Sequence, residues 1–139
     1  MAEFAIAVAT FYGDLADQLV DGATEVFEAD GHSVDVHRVP GAFELPLAAK
    51  YCAESGRYSG VACLGAVIRG ETSHYDYVCE SAAGGILRVG LDTGVPCAFG
   101  VLTVENMDQA LARLGEKRHQ GKDAAHAVLE MASLRGSLV

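Results

Sequence analysis

Four short apolar runs, Phe4–Ala9, Val34–Val39, Val61–Ile68 and Cys97–Val104, alternate with longer amphipathic stretches, and this alternation restricts the chain to a βαβ plan. Leu15, Leu19, Ala23, Val26 and Phe27 recur at helical spacing after the first run, and Gly31 is placed to end that helix. The second run alternates Val34 and Val36 with Asp35 and His37, the pattern of an edge strand, whereas the third is continuously apolar and reads as a central strand covered on both faces. A helix is predicted from about Thr72 to Leu91. Two more close the chain: one turns Met107, Ala110, Leu111 and Leu114 inward, and one from about Gly121 carries Ala125, Val128, Leu129 and Ala132. Because parallel strands need right-handed helical crossovers, the expected fold is a three-layer α/β, flavodoxin-like domain over residues 1–139: a four-stranded parallel sheet with helices on both faces. So small a sheet leaves edges and outer helices thinly covered, and with 50% hydrophobic residues self-association follows as an expectation.

Charge and cysteine usage narrow the function classes. A net charge of −9 without a basic stripe argues against nucleic acid and against anionic membrane surfaces. No apolar run approaches the roughly 18 to 20 residues of a membrane span, and the N-terminus lacks a signal-peptide pattern, so a cytoplasmic location is expected. Cys52, Cys63, Cys79 and Cys97 form no C-x-x-C pair and read as buried free thiols, and the five histidines show no zinc-like spacing, so no metal is expected.

In open α/β sheets ligands bind beyond the carboxyl ends of the strands. The segments there are Thr10-Phe11-Tyr12-Gly13, Pro40-Gly41-Ala42-Phe43-Glu44-Leu45-Pro46, Arg69-Gly70-Glu71-Thr72-Ser73-His74 and Glu105-Asn106. Gly70 to His74 combines a glycine turn with a helix start, which offers free N–H groups to an anion; Thr72 or Ser73 as a simple cap is the other reading. Neither a P-loop nor a dinucleotide fingerprint occurs. His74, in the first turn of that helix, is a candidate general base or a hydrogen-bonded structural histidine. Phe11 is either a stacking surface for a planar ligand or ordinary packing. Glu44, between two apolar neighbours, either binds a polyol-like ligand or stands in the first turn of the next helix as a cap.

Together the segments PGAFELP (Pro40 to Pro46), LGAVIRGETSHYDYV (Leu64 to Val78) and PCAFGVLTVENMDQA (Pro96 to Ala110), with Phe11, resemble the lumazine synthase family over nearly the whole chain. That resemblance implies condensation of 5-amino-6-ribitylaminouracil with 3,4-dihydroxy-2-butanone 4-phosphate, releasing phosphate and water, with no metal or organic cofactor. By the same resemblance Phe11 stacks on the pyrimidine; Ala42, Glu44, Val67 and Ile68 line the ring and hold the ribityl chain; Gly70, Glu71 and Thr72 bind phosphate; His74 shuttles protons. Phe99 and Arg113 arrive from a neighbouring subunit of a homopentamer, Arg113 as the main phosphate ligand. The alternatives within reach are a lumazine- or flavin-binding protein of this fold and a riboflavin-forming lumazine dismutase. One departure stands out. Where the family usually reads G-N-K-G before the last helix, this chain reads Arg118-His119-Gln120-Gly121-Lys122, with Gln120 in the lysine's place and Lys117 or Lys122 as candidate substitutes. Because Phe4 already opens the first strand, a free pentamer rather than a sixty-subunit shell is expected.

Overall fold

In the computed structural model, which describes residues 2–139, strands β1 (Phe4–Ala9), β2 (Val34–Val39), β3 (Gly60–Ile68) and β4 (Cys97–Val104) form one all-parallel sheet in the order β2-β1-β3-β4. The helices are α1 (Gly13–Ala29), α2 (Leu45–Glu54, preceded by a 3₁₀ turn over Ala42–Glu44), α3 (His74–Thr93), α4 (Met107–Ala112) and α5 (Gln120–Leu138). This is the three-layer, flavodoxin-like arrangement expected, with β2 at an edge and β3 inside.

The strand period of two divides the core. Phe4, Ile6 and Val8 of β1 and Leu64 of β3 turn to α1 and α5; Ala5, Ala7 and Ala9 with Val61 and Cys63 turn to α2 and α3. The first face carries the bulk. Phe27, Ile6 and Leu19 are almost wholly buried there, each worth roughly 1.5–3 kcal/mol by burial alone. The alanine face of β1 lets α2 and its neighbour α3 lie close over the sheet.

On the first face α1 and α5 cross at very short range. A β-carbon on Gly121 would fall onto the backbone carbonyl of Leu19, and one on Gly22 would overlap the His119 ring, so both positions require glycine's missing side chain. The second half of the chain thereby locks onto the first.

Several expectations need adjustment. α3 begins at His74 and runs to Thr93, two residues later at each end, because Thr72 and Ser73 stay in the turn and Gly94 stops the helix in the left-handed region at φ 74°. α4 spans only six residues and buries Ala110; Met107 and Leu111, expected inward, stay exposed, since so short a helix at the sheet's edge has one contact point with the core. Leu114 packs against the core from outside the helix. All four cysteines are free thiols, with Cys52 and Cys63 buried but Cys79 and Cys97 only half-buried, because α3 and edge strand β4 are incompletely covered.

Candidate active site

The strand order reverses between β1 and β3, where consecutive connections leave in opposite directions and open a crevice beyond the strands' carboxyl ends. A cavity of about 610 Å³ occupies that place. It brings together Phe11 from the β1 exit, Ala42 and Glu44 from the 3₁₀ turn, Val67 and Ile68 at the end of β3, and Gly70, Thr72 and His74 from the turn into α3. Eight positions scattered over the sequence thus share one space.

The remaining candidates lie elsewhere. Glu71 is exposed and does not line the cavity. Phe99, on edge strand β4, packs half-buried against the α2–α3 side of the core. Arg113 is exposed at the C-terminal cap of α4, and its guanidinium has no hydrogen-bonding partner among the described residues. Neither Phe99 nor Arg113 lines the cavity of its own chain.

Local geometry resolves some of the open readings. Phe11 is 76% exposed and forms a T-shaped pair with Tyr12 at 5.0 Å, so it is no core residue, and it lines the cavity. Glu44 makes no capping bond at the start of α2, and its Oε1 lies over Gly41, where a β-carbon would approach to 3.2 Å. In the turn before α3, the Thr72 hydroxyl accepts the His74 N–H at 3.3 Å, and Asp76 N–H donates to Ser73 O at 3.0 Å. Thr72 therefore does part of a cap's work. The amides of Gly70, Glu71, Thr72 and Ser73 donate to no protein acceptor among the described residues, which leaves a run of N–H donors beside the positive end of a 20-residue helix.

The cavity has further walls that the sequence did not single out: Tyr12, Gly41, Phe43, Ala66, Tyr75 and Val78. One signal was available, since Val78 stands four residues after His74 and so on the same helix face. Phe43, 62% exposed, turns outward from the 3₁₀ turn, in which Ala42 is the buried residue. Burial, and then its hydrogen bond with Cys79, raises the Tyr75 phenol above its ordinary pKa, so it stays protonated at neutral pH. The arrangement combines aromatic and aliphatic walls for a flat ring, one carboxylate, one imidazole and a cluster of amides suited to an anion.

At Gln120 the structure shows a backbone role: its N–H donates to Arg113 O at 2.9 Å, joining α5 to the end of α4. Lys122 turns to α1, with Nζ 3.6 Å from Glu25, and Lys117 is exposed; neither lines the cavity.

Fold and cavity define a flavodoxin-like α/β domain with an open crevice at its topological switch point, the place where such folds hold small molecules. Comparison with known proteins is more specific. Residues 1–136 match the family model of 6,7-dimethyl-8-ribityllumazine synthase. Proteins of that name are 46% identical in Salinibacter ruber over 139 residues (97% of this chain, 89% of the relative) and 52% identical in Thermococcus gammatolerans over 130 residues (93% and 84%). A chloroplastic relative from Spinacia oleracea is 48% identical over 134 residues, covering 94% of this chain and 60% of that protein. The chain belongs to the lumazine synthase family.

Proposed function

We propose that this chain condenses 5-amino-6-ribitylaminouracil with 3,4-dihydroxy-2-butanone 4-phosphate at the switch-point cavity, in a homopentamer whose neighbouring subunits complete each site. The observation that carries this reading is the convergence of Phe11, Glu44, Gly70, Thr72 and His74 on one space, where the amides of Gly70 and Thr72 donate to no protein acceptor among the described residues.

The pyrimidine lies on the face of Phe11 against Val67 and Ile68, and Ala42 and Glu44 hold the ribityl chain, the carboxylate accepting from its hydroxyls. Gly70, Glu71 and Thr72 offer backbone donors to the phosphate. A neighbour's Arg113 approaches the same phosphate with a planar fork that makes paired charge-assisted bonds, and a neighbour's Phe99 closes the ring pocket. Arg113 suits this role because it is exposed and otherwise uncommitted.

The reaction is a series of proton transfers. An amine adds to the ketone and water leaves; phosphate departs by elimination; the enol tautomerises; a second amine–carbonyl condensation closes the ring. His74 at the lip of the amide cluster moves protons in these steps. Holding both substrates in register supplies much of the acceleration.

The pentamer accounts for apolar surface that the single chain leaves bare. Tyr77, Leu87 and Leu91 of α3 and Met131 and Leu134 of α5 are all about half exposed or more. Leu87, Leu91, Met131 and Leu134 also line an apolar groove of about 370 Å³. Among the described residues no helix is long and apolar enough to cross a membrane, and the four free thiols fit a reducing cytoplasm.

The test is an assay of purified protein with both substrates, following lumazine fluorescence and phosphate release together. Equal amounts of lumazine and phosphate are expected. Riboflavin formation from lumazine alone, or tight lumazine binding without turnover, would replace this reading with a dismutase or a binding protein.

A further inference from the structure

We propose that Arg69 is a positioning residue, which sets the turn Gly70–His74 and the α4 arm carrying Arg113 at a fixed relation to one another. Its backbone N–H donates to Val104 O at 2.9 Å, carrying the β3–β4 ladder one residue beyond the strand. Its side chain then reaches in three directions. Nε donates to Glu105 Oε2 at 2.6 Å, Nη2 donates to Asp76 Oδ1 at 3.3 Å, and the guanidinium carbon stands 4.3 Å from the centre of the Tyr75 ring. A single arginine thus grips the first turn of α3 at two successive residues and the exit of β4 at a third.

The β4 end of this clamp leads directly into α4. Glu105 N–H donates to Gln109 Oε1 at 2.7 Å, while Asn106 Oδ1 caps the helix by accepting Gln109 N–H at 2.9 Å. Arg113 ends that same short helix. The connection from His74 to Arg113 therefore runs through one side chain, with a planar fork that a lysine could not reproduce.

Two observations separate positioning from other roles. The bonds at both Nε and Nη2 go to carboxylates, and Arg69 does not line the cavity, so its charge is committed within the protein. Its side chain is 40% exposed and its carboxylate partners 56% and 58%, a setting in which ion pairs contribute little to global stability. Their geometric effect is local. On the site reading above, on which this inference rests, His74 serves one site and Arg113 a neighbour's, so each Arg69 sets the relation between two adjacent active sites.

Kinetics of R69M, E105Q and the double variant, titrated separately with each substrate, test the clamp, with D76N as a change at its other anchor. The Michaelis constant for the butanone phosphate is expected to rise on the order of ten- to a hundredfold in R69M and E105Q, less in D76N, with that for the pyrimidine nearly unchanged. The double variant should be no worse than the worse single one, because both break one connection. A large effect in R69M with none in E105Q and D76N would make Arg69 a direct phosphate ligand and overturn the proposal, as would wild-type kinetics in all four. H74A assayed alongside separates the two levels: wild-type turnover there removes the site reading itself, whereas impaired turnover there with wild-type R69M removes the clamp alone.

Discussion

Nδ1 of His119 stands 3.3 Å from the backbone nitrogen of Lys122 and accepts its N–H, so an imidazole rather than a hydroxyl or carboxylate caps α5. The same ring packs where a Gly22 side chain would otherwise be. Burial, and then the charge of Lys122, holds the His119 pKa below its ordinary 6.5, with Asp123 and Glu25 opposing. The unfolded chain therefore takes up this proton more readily than the folded one. The cap's contribution is complete above about pH 6.5 and is lost as pH falls through the lower folded value. Asparagine caps without titrating, so His119→Asn should show a shallower loss of melting temperature between about pH 6.5 and 5 than the parent. Parallel curves would exclude His119 as the titrating group.

Gly121→Ala should destabilise the fold by about 1–3 kcal/mol, the usual range for overpacking, because the added methyl meets the rigid backbone of Leu19 rather than a movable side chain. Urea unfolding of the variant measures this directly. A midpoint equal to the parent's would mean that α1 and α5 separate without penalty.

His74→Ala should slow turnover by roughly tenfold to a few hundredfold and leave the melting temperature near the parent's, since acid–base help is commonly worth about 10² to 10⁴ while substrate proximity survives. The side chain is exposed, so little packing is lost. Parental rates at neutral pH would remove His74 from the chemistry.

Arg113→Ala should raise the Michaelis constant for the butanone phosphate about ten- to a hundredfold, the equivalent of one charge-assisted contact of roughly 1.5–3 kcal/mol. Co-assembly offers a sharper check on the shared site. Mixed pentamers of Arg113→Ala and His74→Ala chains should recover activity, because some interfaces then unite both intact residues. No recovery in pentamers shown to be mixed would place the two residues in the same subunit's site.

Light scattering at near-physiological pH and salt should give a mass near five chains. A megadalton particle would show that the pentamers assemble further, and a monomer retaining activity would end the shared-site account.

The parallel sheet and its central strand were legible in the sequence because they depend on short-range periodicity: the unbroken apolar run of β3 needs cover on both faces, and the alternation in β2 does not. The turn from Gly70 to His74 was legible for a similar reason, since glycine, hydroxyl and imidazole at a strand-to-helix junction act within a few residues of one another. What only the tertiary structure decided depends on distance between segments far apart in the chain. Phe11 could have been core or surface until the β1 exit was seen to open on the cavity. Met107 and Leu111 carried a helical apolar pattern, yet so short a helix at the sheet's edge brought only Ala110 into the core. Lys122 was a candidate for the site by its position in sequence, and the α1–α5 crossing turned it to Glu25 instead. Likewise, the need for glycine at 22 and 121 arises from two helices meeting about a hundred residues apart in sequence, a contact that no local pattern encodes.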